Sequence, residues 1–379
     1  MNHSPLQVSN NTLTLHEIEW QDFVKKDIPL TVFLSSLSVI GTLGNVMVIL
    51  TVGRRDRWRN YRILIQCLAF VDLLSCFFSI PGYIALSRFR YSIESDVFCR
   101  GTTMFHIFVG AFSVDLLCFI AIERFRKTCR PLKEDFSLMR VKLVCICLAG
   151  FNIALATLGL FTFSSQRIMV GNLIGHSCLI NKEGTFAKIF SQIIILFLFL
   201  KIIVCTVLYC IIGRTLLQHR KHRPHMVPFR YQNSTIKNMS CDHNQDQSME
   251  RNNACSVRRM SLKSVTSSDL NSSFQNHGST RHISSNLSGK TLYTKSAKIS
   301  FMFLMCTCLS FLSFVPVLVI RCIESFDWQL RADMFKYLGS MAGVLYRFHV
   351  LNHVINPIVY CLTNSNFRRD CTDLCKYRR

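Results

Sequence analysis

Seven stretches of this chain are predominantly apolar over roughly 20 residues or more, the length a helix needs to cross the hydrocarbon of a bilayer. They lie at 29–53, 63–87, 100–123, 141–163, 187–213, 299–320 and 337–361. Half of the residues are apolar and the mean hydropathy is +0.27, too high for most soluble domains. In lipid every backbone polar group must find its partner within the protein, which restricts such stretches to helices. The expected fold is an all-α membrane protein, a seven-transmembrane helix bundle with a short amphipathic helix after the last span. The first 28 residues are polar and show no apolar run after a basic start. No cleaved signal peptide is therefore expected, and the first span serves for insertion.

Charge sets the expected orientation. Most of the 44 Lys and Arg fall in Arg54–Arg62, Arg124–Lys142, Arg214–Lys298 and the tail. Excess basic charge in short loops marks the cytoplasmic side, so the N-terminus is placed outside and the C-terminus inside. The net charge of +22 then needs no nucleic acid, because a basic inner face suits anionic lipid. The organisation read from this is an extracellular N-terminal tail over 1–28, spans one to five over 29–213 and a third intracellular loop over 214–294. Spans six and seven follow over 295–361, then an amphipathic helix and cytoplasmic tail over 362–379. The loop is polar and rich in Ser and Asn, with few aromatics, and reads as disordered. Arg258-Arg259-Met260-Ser261 in it resembles a basophilic kinase site. Asn2 and Asn10 head glycosylation sequons on the outer side. Cys371 and Cys375, four apart after the last span, are palmitoylation candidates.

Several polar groups stand inside the spans, where they are costly and often functional. The last span contains Asn356-Pro357-Ile358-Val359-Tyr360, four residues after Asn352. A mid-membrane proline frees a carbonyl that must find another partner. Glu123-Arg124-Phe125 closes the inner end of the third span, Asp72 lies within the second, and Gly44-Asn45 within the first. Asp115 and Lys201 interrupt the third and fifth. His349 and His353 share a helix face, but with no third ligand of evident spacing they read as packed histidines rather than a metal site.

Together these residues resemble a rhodopsin-like (class A) G-protein-coupled receptor over about 29–375 without the long loop. Cys99 lies 25 residues before Arg124 as in that family, and Asn45, Asp72, Arg124, Pro316, Pro357 and Tyr360 take the signature position of their spans. Tyr209 matches the tyrosine near the inner end of the fifth span, and Phe367 the aromatic of the tail helix. The inner sequences are also loosely similar to neuropeptide receptors of the cholecystokinin or orexin type.

The resemblance implies a bridge between Cys99 and Cys178, both outer and in an oxidising setting. It implies a resting Glu123–Arg124 contact, a swing of the sixth helix about Pro316, and a meeting of Arg124 with Tyr209 and Tyr360 on activation. Leu132 would enter a G-protein pocket. Asp72, Ser113, Asn352 and Asn356 match an allosteric sodium site, the one ion implied; no other cofactor is. Heterotrimeric G protein, arrestin and receptor kinases are the implied partners. In that fold Asp115 and Lys201 lie at one depth on neighbouring helices, which suggests a buried ion pair.

The chain departs from the family's pattern at several positions. Phe314 replaces the usual tryptophan before the sixth-span proline, and Lys201 the usual fifth-span proline. The usual fourth-span tryptophan is missing, and His353 stands where serine is common beside the sodium site. No acid opens the sixth helix. His106 takes the position of the amine-binding aspartate and Val350 that of the retinal lysine, which argues against an amine or opsin ligand. Tyr83, Thr103, His106, Gln192, Arg321, Tyr346 and Arg347 line the outer ends and suit a peptide with an amidated, acidic or aromatic end. A lipid or organic anion is the alternative ligand. A seven-helix transporter or channel is a more distant reading, because paired broken helices are not seen. Nothing points to an enzyme.

Overall fold

The computed structural model describes residues 14–53, 60–130, 134, 136–181, 185–221, 278–326 and 328–376. Two units divide the chain, Met1–His219 with Tyr293–Arg379, and Arg220–Leu292. The first holds the helix bundle. Of the second, only the end of one helix and the beginning of another are described.

The chain begins with α1 (Leu15–Asp22), which passes through a π-helical turn (Phe23–Asp27) into α2 (Ile28–Gly53), the first span. The second span is α3 (Asn60–Leu74), a π-turn (Ser75–Ser79) and α4 (Ile80–Arg88). The third is α5 (Asp96–Cys129), capped at its start by Ser95 Oγ, which accepts from the Phe98 N–H, and the fourth is α6 (Leu138–Leu158). A hairpin of β1 (Phe163–Val170) and β2 (Leu173–Ile180) follows. Gly171, at φ 59°, opens its two-residue turn, a conformation glycine adopts without a Cβ penalty. The fifth span is α7 (Thr185–Lys221) and the sixth belongs to α8 (Gly278–Phe326). Next come α9 (Trp328–Leu338), α10 (Ser340–Tyr346), α11 (Asn352–Thr363) and α12 (Ser365–Lys376).

Among the described residues, six helical stretches are individually long and apolar enough to cross a membrane. The seventh crossing is assembled from α10, a 3-10 turn (Phe348–Leu351) and α11, which carries Pro357. A 3-10 turn and a proline within one span both mark local strain in the helix ladder. This crossing begins after Gly339 (φ 53°), a little later than the 337 read from hydropathy. Apolar side chains such as Leu43, Phe70, Leu196 and Ile203 are exposed around the bundle, as a lipid-facing surface requires. The core runs through Val48, Leu64, Leu68, Leu116, Leu117, Ile120, Phe303 and Val359.

Three boundaries differ from the sequence reading. The tail over 1–28 contains α1, because Thr14 and Glu17 form a reciprocal capping box. α7 continues past 213 to Lys221, since Gly213 alone does not stop a helix and the first proline beyond is Pro224. α8 starts at Gly278 rather than near 295. Residues 222–277, the middle of the segment read as a disordered loop, lie outside the described residues.

Candidate functional site

Below, the end of the bundle that carries the hairpin is termed outer and the Arg124 end inner.

The outer end is tied together by a Cys99–Cys178 disulfide, Cα–Cα 5.5 Å, joining the start of α5 to β2. The hairpin continues into the α4–α5 connection: His176 N–H donates to the Tyr91 carbonyl at 2.8 Å and Ile93 N–H to the His176 carbonyl at 3.0 Å. A Cβ on Gly175 would come within 2.8 Å of the Tyr91 carbonyl oxygen, so this approach needs glycine. The buried Glu19 of α1 accepts from Tyr91 N–H at 2.7 Å and Ser92 Oγ at 2.9 Å. Tyr91 in turn donates its hydroxyl to Asp22 at 2.6 Å. Burial, and then that carboxylate, push the Tyr91 hydroxyl up to about 12. The hydrogen bond that the Glu17 carboxylate accepts from the Thr14 N–H holds Glu17 below the usual carboxylate value.

A ladder of rings and cations descends from this cap. The Arg321 guanidinium lies 5.0 Å from the Tyr346 ring centre, and Arg347 lies 5.9 Å from Tyr346 and 5.2 Å from Tyr83. The Tyr83 ring meets His106 edge-on at 4.4 Å. His106 Nε2 is 3.0 Å from His349 Nε2, and its Nδ1 is 2.8 Å from Ser79 Oγ. His349 stacks on Phe314 at 5.8 Å. Thus five of the seven expected lining residues come together. Thr103 is buried and donates its hydroxyl to the Cys99 and Arg100 carbonyls of its own helix, and Gln192 is exposed on α7. His349 was read only as a packed histidine. Its partner His106 is 243 residues away, beyond any local signal. His349 and His353 do not share a ligand position, and no group of three or more metal-ligating side chains forms among the described residues.

Below Phe314 lies Asp72, fully buried. Its Oδ1 accepts from Ser113 Oγ at 3.0 Å and from His353 Nδ1 at 2.8 Å, and its Oδ2 from Asn356 Nδ2 at 2.8 Å. Asn352 Nδ2 donates to Ser113 Oγ at 3.0 Å. A hard cation takes oxygen ligands. Here Asn356 and His353 turn N–H groups toward the carboxylate, and Asn352 turns its N–H to Ser113. The four residues of the expected sodium site meet around Asp72; the amide and imidazole N–H groups occupy the carboxylate and Ser113, while the Asn352 and Asn356 Oδ1 atoms are buried without a hydrogen-bond partner among the described residues.

Lys201 Nζ lies 2.8 Å from Asp115 Oδ1, with Asn152 Nδ2 donating to Asp115 Oδ2 at 2.8 Å. Asn152 escaped the sequence reading because an isolated Asn in an apolar span gives no sign of its partner. A cleft of about 260 Å³ lined by Phe151, Phe197, Leu200, Lys201 and Val204 adjoins the pair. A second, of about 460 Å³, is lined mainly by Phe78, Val97, Phe98 and Phe105. It has no charged lining residue and meets the ladder only through Ser79, the partner of His106.

At the inner end, Arg124 is 2% exposed and donates through Nε to Glu123 Oε2 at 2.5 Å, while Lys127 Nζ is 2.8 Å from Glu123 Oε1. The guanidinium faces the Tyr61 and Phe303 rings, each at 5.5 Å. Tyr209 shares a 3.2 Å hydrogen bond with Thr307, and the buried Tyr360 hydroxyl has no protein partner among the described residues. Neither tyrosine bonds Arg124. The Thr128 Oγ1 and Ser300 Oγ atoms, 3.3 Å apart, join α5 to α8. Pro316 and Pro357 lie within α8 and α11. The ring of Phe367 in α12 packs on Tyr360 at 6.1 Å. Cys371 is half-buried on α12; the Cys375 side chain, Leu132, Asn2 and Asn10 lie outside what is described.

The family described as 7 transmembrane receptor (rhodopsin family) matches residues 44–360. The cholecystokinin receptor type A of Cavia porcellus is 23% identical over 92% of this chain and 80% of the relative. The Homo sapiens receptor of the same name gives the same three figures. The cephalotocin receptor 2 of Octopus vulgaris is 31% identical over 33% of this chain and 29% of its own length. With a seven-helix bundle and a family match from the first span to Tyr360, the chain belongs to the rhodopsin family of seven-transmembrane receptors, which signal and do not catalyse.

Proposed function

We propose that this receptor binds an extracellular peptide at its outer end and activates heterotrimeric G proteins at its inner end. The observation that carries the reading is the ladder from Arg321 and Arg347 through Tyr83, His106 and His349 to Phe314. It offers cations and aromatic faces near the hairpin and reaches the residue beside Pro316. The names of the relatives, cholecystokinin and cephalotocin receptors, agree with a peptide ligand. The receptor would sit in the plasma membrane with its N-terminus outside, glycosylated at Asn2 and Asn10 and palmitoylated at Cys371 and Cys375.

At rest, Glu123 neutralises Arg124. A ligand that favours an open inner end would release Arg124 toward Tyr209 and Tyr360, shifting the population by its differential affinity for the two forms. Leu132 would then contact the G protein, and arrestin and receptor kinases would act on the same open form. The test is a neuropeptide library on cells expressing the full chain, with calcium, cyclic-nucleotide and nucleotide-exchange readouts. Exchange that needs both a peptide and Arg124 supports the reading. Activation only by lipids or organic anions would replace the peptide part, and ion current or transport without G protein would overturn the whole.

A further inference from the structure

Arg347 makes no ion pair among the described residues; Asp27, an acid whose charge it helps to balance from beyond contact distance, is gripped by Arg90. Arg321 is paired with Glu324 at 3.0 Å, and Arg331 Nε reaches the same carboxylate at 3.6 Å. Arg90 grips both oxygens of Asp27, at 2.9 and 2.7 Å. No carboxylate lies within ion-pairing distance of Arg347 among the described residues, and its Nε is buried without a hydrogen-bond partner. Its contacts are the faces of Tyr83 and Tyr346. Ring faces attract the cation but cannot accept from its Nε–H, which lies in the guanidinium plane. A half-buried guanidinium in that condition is costly unless an anion joins it.

We infer that Arg347 is the receptor's anchor for an anionic group of its ligand, a carboxylate or a sulfate held through two parallel N–H···O bonds. The planar fork of arginine matches both groups, and the two flanking rings fix its orientation in advance. The inference rests on the reading of the ladder as the ligand site and names the chemistry that site selects. It also gives the ladder a direction. An anion drawn to Arg347 bears on Tyr83, then on His106 and His349, and so on Phe314, each a direct neighbour of the next.

The test uses two kinds of probe on the full chain. The first is a library of matched peptide pairs differing in one group: C-terminal carboxylate against carboxamide, and sulfotyrosine against tyrosine. The acidic member of an active pair should be about tenfold or more the stronger agonist. Arg347→Gln should weaken the acidic member far more than the neutral one and so erase that preference, and Arg347→Lys should keep part of it. The pair that shows the preference tells carboxylate from sulfate. The second probe is thermal melting of purified receptor with benzoate or phenyl sulfate against neutral benzamide, which needs no agonist. The anions should raise the melting temperature of the wild type and of Arg347→Lys but not of Arg347→Gln. Anion stabilisation through Arg347 without any active peptide would defeat the peptide reading and keep this one. Active peptides with no charge preference, a preference that survives Arg347→Gln, or anion effects equal in both proteins would overturn it.

Discussion

Asn45 donates its side-chain amide to the carbonyl of His353 at 2.9 Å, the carbonyl that Pro357 leaves without a helical N–H four residues on. The same amide also reaches the Gly41 carbonyl at 2.9 Å, so one side chain on α2 ties its own backbone to the kink in α11. Gly44 lets the two helices approach: a Cβ there would fall 2.9 Å from the Pro357 ring. The kink is thus held by the first span rather than by its own helix.

Asn45→Ala should therefore leave that buried carbonyl with only the weak contact from Cys76 Sγ at 3.9 Å, at a cost of roughly 1–3 kcal/mol. Thermal melting of purified receptor should show the loss. Gly44→Ala should be damaging for a different reason, steric separation of α2 from α11. Melting curves for Asn45→Ala that overlay the wild type would show that the Cys76 contact alone suffices.

This contact also shows what the sequence can disclose. The number of spans, the freed carbonyl behind Pro357 and the opposite charges Asp115 and Lys201 follow from local composition and the solvent. Identifying the partner is harder, because it depends on how helices are arranged side by side. His106 with His349, Asn152 with Asp115, and Asn45 with His353 each join distant parts of the chain. The resemblance supplied that arrangement for signature positions only. α1 was legible in principle, since Thr14-Leu15-His16-Glu17 has capping-box spacing, but the polar character of the segment outweighed it. The breaks in the seventh span were hidden because hydropathy does not report the pitch of a helix.

The ion pair between Lys201 and Asp115 can be tested by a double-mutant cycle. The side chains are 20% and 11% exposed, with Lys201 lining an apolar cleft. Lys201→Met alone leaves Asp115 with only Asn152, and Asp115→Leu alone leaves a lysine in a lipid-depth cleft. Removing one partner of a truly buried pair costs about 3–5 kcal/mol, whereas replacing both by apolar groups is often neutral. Each single variant should lose surface expression and thermal stability, and the double variant should regain most of it. Strictly additive losses would rule out an interaction.

Glu123 is expected to hold the inner end closed. It pairs with both Arg124 and Lys127, and neither Tyr209 nor Tyr360 bonds the arginine. Glu123→Gln keeps the shape and removes the charge. Agonist-independent nucleotide exchange should rise severalfold, a shift of about 1 kcal/mol in the resting equilibrium. Arg124→Ala should abolish exchange with surface expression retained. Unchanged basal exchange in Glu123→Gln would mean that the resting form is held elsewhere.

The last prediction concerns Asp72 and salt. His353 is 1% exposed, and its Nδ1 occupies one lone pair of Asp72 Oδ1 at 2.8 Å while Ser113 takes another and Asn356 binds Oδ2. These donors leave a sodium ion at most one lone pair, on Oδ2, and it would compete with the imidazole for Oδ1, where a hard cation gains nothing from the N–H group. Agonist affinity should accordingly change little when sodium replaces an inert cation at constant ionic strength. Serine at 353 would remove the imidazole, shorten the side chain and offer a hydroxyl oxygen instead. His353→Ser should therefore acquire a larger sodium effect, and adding Asp72→Asn should abolish it by removing the charge the ion would neutralise. Equal sodium dependence in wild type and His353→Ser would mean that the imidazole does not compete with the ion.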